Sequence, residues 1–322
     1  MNATEKTIQR IAVVGSGYMG GGIAQVLALS GRDVVLGDVD AEGAAKARER
    51  LIQQAARFEE DGLFRSGAAD EIAGRLSAAE SVEAAVEGAD YVTEAVFERR
   101  DVKGEALSRI SAAAPAGAVI GSNTSAIPIS ELAQSVVGPE RFLGVHWMNP
   151  APFVPGVELI PHQGTTEWAV SSAETLIREA GKQPGQVADS PGFVANRLQF
   201  ALFKEAVRMV EEGLATPTQI DTVVSNAFGF RLALFGPFAI ADMAGLDVYD
   251  SSYASLEAEY GDRFSSPQML HSMVGEGRLG LKSGGGFLDI PADEAPELVA
   301  YRDKAYAALS ALRRELGPAP AL

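Results

Sequence analysis

Residues 10–20 read RIAVVGSGYMG. The first five, RIAVV, are a short β-branched run that stops at a cluster of glycines, the pattern of a buried strand. From Tyr18 onward, Ile23, Val26 and Leu27 recur at helical spacing until Gly31 ends the run. Residues 33–36, DVVL, read as a second strand, and Asp38 stands just beyond it. Each part of this unit has a physical task. Gly15 permits a tight turn, and Gly17, after Ser16, leaves room for a pyrophosphate against the backbone. Gly20 lets the helix pack closely on the strand, and the amides of Tyr18 and Met19 face the phosphates at the positive helix end. Asp38 lies at the usual separation of about 20 residues, where a carboxylate accepts both adenosine ribose hydroxyls and repels a 2′-phosphate. No arginine follows among Val39, Asp40 and Ala41. The unit therefore predicts a bound NAD, not NADP.

Outward from this unit, residues 40–63 form a long helical stretch rich in Ala, Glu and Arg. Residues 91–96, 118–120, 142–145 and 157–160 read as further strands, with a helix over 101–113. The alternation predicts an α/β Rossmann domain, a doubly wound parallel sheet. The pattern changes after residue 189. Residues 193–212 form an amphipathic helix with Leu198, Leu202, Ala206, Met209 and Val210 on one face, and Gly213 suits its C-terminal cap. Residues 218–228 and 242–260 read as more helix. Residues 1–189 are thus expected to form the NAD-binding domain and residues 190–322 an all-α C-terminal domain. The Pro/Ala-rich end, 317–322, reads as a loose tail.

The 322 residues suffice for two domains, and 47% hydrophobic against 22% charged residues suits a globular protein. No apolar run approaches the ~20 residues of a membrane span, and residues 1–10 lack an export core. There is no cysteine, which removes disulfides and thiolate metal sites and fits a reducing, cytoplasmic setting. A net charge of −16 disfavours nucleic acid and anionic membranes as partners.

Only three histidines occur, at positions 146, 162 and 271, with no spacing that suits a metal site. His146 falls at the end of a strand, where ligands gather in open α/β sheets. Glu158 lies among apolar neighbours in the next strand, where a lone carboxylate is costly. Paired, the acid holds one ring nitrogen as N–H and leaves the other free as a base. His162 and His271 have no paired acid in a comparable context and read as surface or structural residues.

With these residues in place, the chain resembles the 3-hydroxyacyl-CoA dehydrogenase family over nearly its whole length. The resemblance is carried in order by IAVVGSGYMGGGIAQVLA, VTEAVFERRDVK, SNTSAIPIS, HWMNPAPF with GVELI, DSPGFVANRL, GPFAIADMAGLDV and GLKSGGGF. It implies a secondary-alcohol oxidation with His146 as base and Glu158 as its orienting acid. Ser125 matches a serine touching substrate and nicotinamide, and Asn196 an asparagine reaching the substrate. Glu98, Lys103, Asn149 and Lys282 match cofactor contacts. A small-molecule substrate and a homodimer through the helical domain are likewise implied.

Two departures bear on the substrate. Residues 51–75, where the acyl-CoA enzymes are rich in lysine, carry Glu59, Glu60, Asp61, Asp70 and Glu71 against Arg57, Arg65 and Arg75, a poor surface for CoA phosphates. The turn FGFRLALFGP, residues 228–237, is longer than in those enzymes. It is similar to relatives acting on free substrates, namely gulonate 3-dehydrogenase, carnitine dehydrogenase and the pyridine-carboxylate dehydrogenases of vitamin B6 breakdown. Arg231 is then a candidate partner for a substrate carboxylate. A small hydroxy acid or similar polar alcohol is the expected substrate, with 3-hydroxyacyl-CoA as the alternative. A non-catalytic, crystallin-like NAD-binding role predicts lost catalytic groups, yet Ser125, His146, Glu158 and Asn196 are all present.

Overall fold

The computed structural model describes residues 8–320. Most of the export reading, at residues 1–7, and the last two residues of the tail, 321–322, lie outside them. Eight strands form one sheet: β1 (Arg10–Val14), β2 (Asp33–Gly37), β3 (Leu76–Ala78), β4 (Tyr91–Glu94), β5 (Val119–Ser122), β6 (Phe142–Trp147), β7 (Gly156–Pro161) and β8 (Gln183–Gln186). Their order across the sheet is β3-β2-β1-β4-β5-β6-β7-β8. The helices within and just beyond this sheet are α1 (Tyr18–Leu29), α2 (Ala41–Glu60), α3 (Ala68–Arg75), α4 (Val82–Val86), α5 (Arg100–Ala113), α6 (Ile129–Leu132), α7 (Glu167–Glu179) and α8 (Ala195–Glu211).

The central strand shows why the sheet is buried on both sides. Ile11 and Val13 enter one apolar core layer, with Ile23, Leu27 and Leu51; Ala12 and Val14 enter the other, with Leu107, Ile110 and Ile120. Alternate residues of a strand point to opposite faces, so RIAVV supplies both layers at once. Asp40 caps α2 by accepting from the Gly43 amide, and Thr166 caps α7 through the Ala169 amide.

One neighbouring pair of the expected parallel sheet runs the other way. β6 and β7 pair antiparallel, while every other neighbouring pair is parallel. The reason is the connection. Only residues 148–155 join the two strands, too few for the crossover a parallel return demands. The register sets His146 directly across from Glu158.

The chain packs as two compact units, one up to Leu202 and one from Phe203 onward, so the division falls within α8. The second unit contains α9 (Pro217–Asn226), α10 (Phe228–Leu232), α11 (Pro237–Ala244), α12 (Leu246–Tyr260), α13 (Gln268–Gly275) and α14 (Ala295–Leu316). The single helix read over 242–260 is in fact two, because Gly245 at φ +104° breaks it. No residue of α8 is buried; of the apolar stripe read there, Leu198, Leu202 and Val210 are exposed in the single chain, and Ala206 and Met209 are half-buried.

Candidate active site

A cavity of about 930 Å³ runs along the carboxyl ends of the strands, within the first unit. Gly15, Ser16, Gly17, Tyr18, Met19, Asp38 and Val39 line it on the β1–β2 side; Asn123, Ser125, His146, Asn149 and Asn196 line it further along. From β2 to β6 is four strand spacings, about 19 Å, a span for an extended dinucleotide.

The glycine turn fits that ligand. A Cβ on Gly20 would fall 1.9 Å from the Gly15 carbonyl oxygen, so this glycine is required by the turn itself and lies behind the cavity wall. A Cβ on Gly17 would meet no protein atom within 4 Å, which leaves that space to a ligand. Asp38 accepts from the Ser16 amide (3.1 Å) and the Ser16 hydroxyl, and its other oxygen accepts from the Val39 amide (2.8 Å). Arg50 on α2 braces the turn by donating to the Ser16 carbonyl at 2.6 Å. Arg109 also lines the cavity, held by Glu83 at 2.8 and 3.2 Å, and this pairing pulls the Glu83 carboxyl down to about 2.

His146 Nδ1 lies 2.8 Å from Glu158 Oε2, both side chains being buried. The other Glu158 oxygen accepts from the Val194 and Ala195 amides at 3.0 and 2.9 Å, where α8 begins. Burial by itself raises the Glu158 carboxyl, but His146 and these two amides outweigh it and hold it below the usual carboxylate range. With its proton on Nδ1, His146 keeps Nε2 as an acceptor. Phe193, whose ring centroid lies 5.8 Å from that of His146, takes φ +48°, strained for a bulky residue.

Glu98 gathers the Ser125 loop. One oxygen accepts from Thr124 Oγ1 (2.7 Å), the Ser125 amide (2.8 Å), Ser125 Oγ (3.1 Å) and the Ala126 amide (3.2 Å). Burial raises this carboxyl too, but these donors and the Lys103 charge hold it low. Asn196 Nδ2 donates to the Ser125 carbonyl at 2.8 Å, joining the start of α8 to the same loop.

Not every residue expected here reaches the cavity wall. Lys103 is fully buried behind it, 2.8 Å from Glu94 and 3.4 Å from Glu98. Lys282 and Arg231 belong to the second unit, where Lys282 binds Asp247 at 2.7 Å and Arg231 lies in α10. His162 is structural, both ring nitrogens meeting backbone groups. His271, read as a surface or structural residue, has an exposed ring 3.2 Å from Asp250. Among the described residues no group of three or more His, Asp or Glu is placed to hold a metal ion, and no helix is long and apolar enough to cross a membrane. The sequence reading missed Asn123, whose side chain accepts from the Trp147 amide at 2.9 Å and which lines the cavity. Its position one residue beyond β5 is a usable signal in open sheets.

Comparison with known proteins agrees with this layout. The 3-hydroxyacyl-CoA dehydrogenase NAD binding domain matches residues 10–190, and the C-terminal domain of the same family matches residues 192–290. The chain belongs to the 3-hydroxyacyl-CoA dehydrogenase family. Like the family it binds NAD, and it is an NAD-dependent dehydrogenase. Within the family, a 5-formyl-3-hydroxy-2-methylpyridine 4-carboxylate 5-dehydrogenase of Mesorhizobium japonicum is 35% identical over 310 residues, 96% of this chain and 98% of that protein. A probable 3-hydroxybutyryl-CoA dehydrogenase of Bacillus subtilis is 37% identical over 283 residues, 88% of this chain and 97% of its own. A solved 5-formyl-3-hydroxy-2-methylpyridine 4-carboxylic acid 5-dehydrogenase, an NAD+-dependent dismutase, superposes with a TM-score of 0.72 at 35% identity, covering 96% of this chain and 99% of the other.

Proposed function

We propose that this dehydrogenase reversibly oxidises the secondary alcohol of a small hydroxy acid or similar polar alcohol, with His146 as base and Glu158 as its partner. The observation that carries the reading is His146 in the wall of the NAD cavity, its Nδ1 held 2.8 Å from the buried Glu158 behind it. Bound NAD supplies the hydride acceptor. His146 Nε2 takes the hydroxyl proton as the carbon–hydrogen bond gives up its electron pair. Glu158 stabilises the imidazolium that results and keeps the ring from rotating. Ser125 and Asn196 hydrogen-bond the substrate oxygens, an orientation effect. Glu98 holds the Ser125 loop in place, Asn149 contacts the nicotinamide end and Asp38 takes the adenosine ribose. Lys103 acts through Glu98; Lys282 is taken as a cofactor contact and Arg231 as a partner for a substrate carboxylate.

A free acid is favoured over a thioester by the character of residues 51–75. Of the three arginines there, Arg65 is tied to Glu71, and Arg75 to Asp33 and Glu71. Glu59 accepts from the Gly67 and Ala69 amides at 2.7 and 3.0 Å. A CoA nucleotide would find few free cations. Similarity to the pyridine-carboxylate dehydrogenase points the same way. The second reading, a 3-hydroxyacyl-CoA substrate, is favoured by similarity to the Bacillus protein. The test is NADH formation from a panel of free hydroxy acids, other small polar secondary alcohols and 3-hydroxybutyryl-CoA. Turnover confined to the free substrates is expected; turnover confined to the thioester reverses the order.

The same reading includes a homodimer and a cytoplasmic location, with the NAD-binding domain ending near residue 189. What supports the dimer is the run of exposed Leu198, Phe200, Leu202, Phe203, Val207 and Val210 on α8.

A further inference from the structure

Lys182, just before β8, is 6% exposed, and its ammonium has no carboxylate partner among the described residues. It donates instead to three backbone carbonyls, those of Ala151 (2.6 Å), Val154 (2.8 Å) and Pro152 (3.1 Å). Taking an ammonium out of water is costly, and burial pushes this lysine below its ordinary range. The geometry repays that cost with three donors converging from a single nitrogen, which only lysine supplies.

All three carbonyls belong to residues 148–155, the connection between β6 and β7. The same connection carries Met148 and Asn149 into the cavity wall beside His146. It is held from other sides as well. The Phe153 ring packs on Phe58 and Phe64 at 5.3 and 6.0 Å between centroids. Pro152 lies against Gly22 of α1, where a Cβ would stand 3.0 Å from its Cδ. Of these anchors, Lys182 alone takes up the inward-facing carbonyls.

We propose that Lys182 is a positioning residue for the nicotinamide end of bound NAD: by gathering the carbonyls of Ala151, Pro152 and Val154 it fixes the segment that presents Asn149 to the cofactor. This rests on the reading of Asn149 as a cofactor contact. A general structural role would loosen the whole site; a positioning role affects one end of one ligand.

The test is calorimetric titration of NADH and of ADP-ribose, which lacks the nicotinamide, into the wild type, Lys182→Met, Asn149→Ala and the double variant. Lys182→Met is expected to weaken NADH about tenfold while ADP-ribose binding stays within about twofold. In the Asn149→Ala background the same change is expected to add little, as coupled residues behave. Equal losses for the two ligands, an unchanged NADH affinity, or additive effects in the double variant each overturn the proposal. Should Lys182→Met fail to fold, Phe153→Ala releases the same segment from a side that is 44% exposed. It must show the same selective loss, and an equal response of both ligands overturns the proposal. Failure of the wild type to bind ADP-ribose removes the cofactor site itself, a result distinct from failure of the clamp.

Discussion

Glu158 serves two groups, one oxygen holding His146 and the other the first amides of α8. Glu158→Gln keeps the shape and removes the charge. Its kcat is expected to fall about 10²- to 10⁴-fold with the fold retained, as loss of an orienting carboxylate does elsewhere. The carboxyl's pKa in the folded chain lies below the ordinary 4.5. Its stabilising contribution is therefore complete above 4.5 and lost as pH falls from there through the lower, folded value. The Tm gap between wild type and Glu158→Gln should be widest near neutrality and shrink as pH falls below 4.5, which scanning calorimetry checks. His146→Ala is expected to abolish turnover and leave NADH binding nearly intact. Two glycines should part company: Gly17→Ala folds but loses NADH affinity, whereas Gly20→Ala, whose Cβ meets the Gly15 carbonyl, loses stability as well, read by thermal melting alongside NADH titration. At this scale the sequence announces groups that break a local rule, such as a carboxylate within an apolar strand. It does not announce Lys182 or Arg50, because their partners are backbone carbonyls that any residue could supply.

Among the elements, β4 and α5 are joined by a fully buried ion pair, Glu94 with Lys103, at 2.8 Å. Glu94 also takes the Ser122 hydroxyl and the Val96 amide. Lys103→Met leaves the carboxylate buried and uncompensated, and is expected to cost about 3–5 kcal/mol in urea unfolding, with part regained when Glu94→Gln is added. The central strands were legible because β-branched runs buried on both faces leave a plain pattern. β8, reading QPGQ, was not: it is an edge strand whose place is set by backbone pairing to β7, and Pro and Gly argue against it locally. The direction of β7 was also hidden, since apolar periodicity is the same for parallel and antiparallel strands. The length of the connection held the information, and it becomes decisive only when weighed against the reach of a crossover.

For the whole molecule, the exposed face of α8 makes a prediction about assembly. Sedimentation should show a dimer, and Phe203→Glu, which places a charge within that face, should shift it to monomer. Family and cofactor were legible from ordered motifs along the chain. The substrate was not, because it depends on which cations are already spoken for, as Arg65 and Arg75 are. The antiparallel return of β7 has a consequence for how such a chain can diverge. His146 and Glu158 face each other by register, so a slip of one residue puts Val157 or Leu159 opposite the histidine and sends the carboxylate through to the far side of the sheet. Point substitutions can retune this enzyme gradually. Insertions or deletions within that hairpin strand cannot, so its length is inherited whole or the chemistry is lost in a single step.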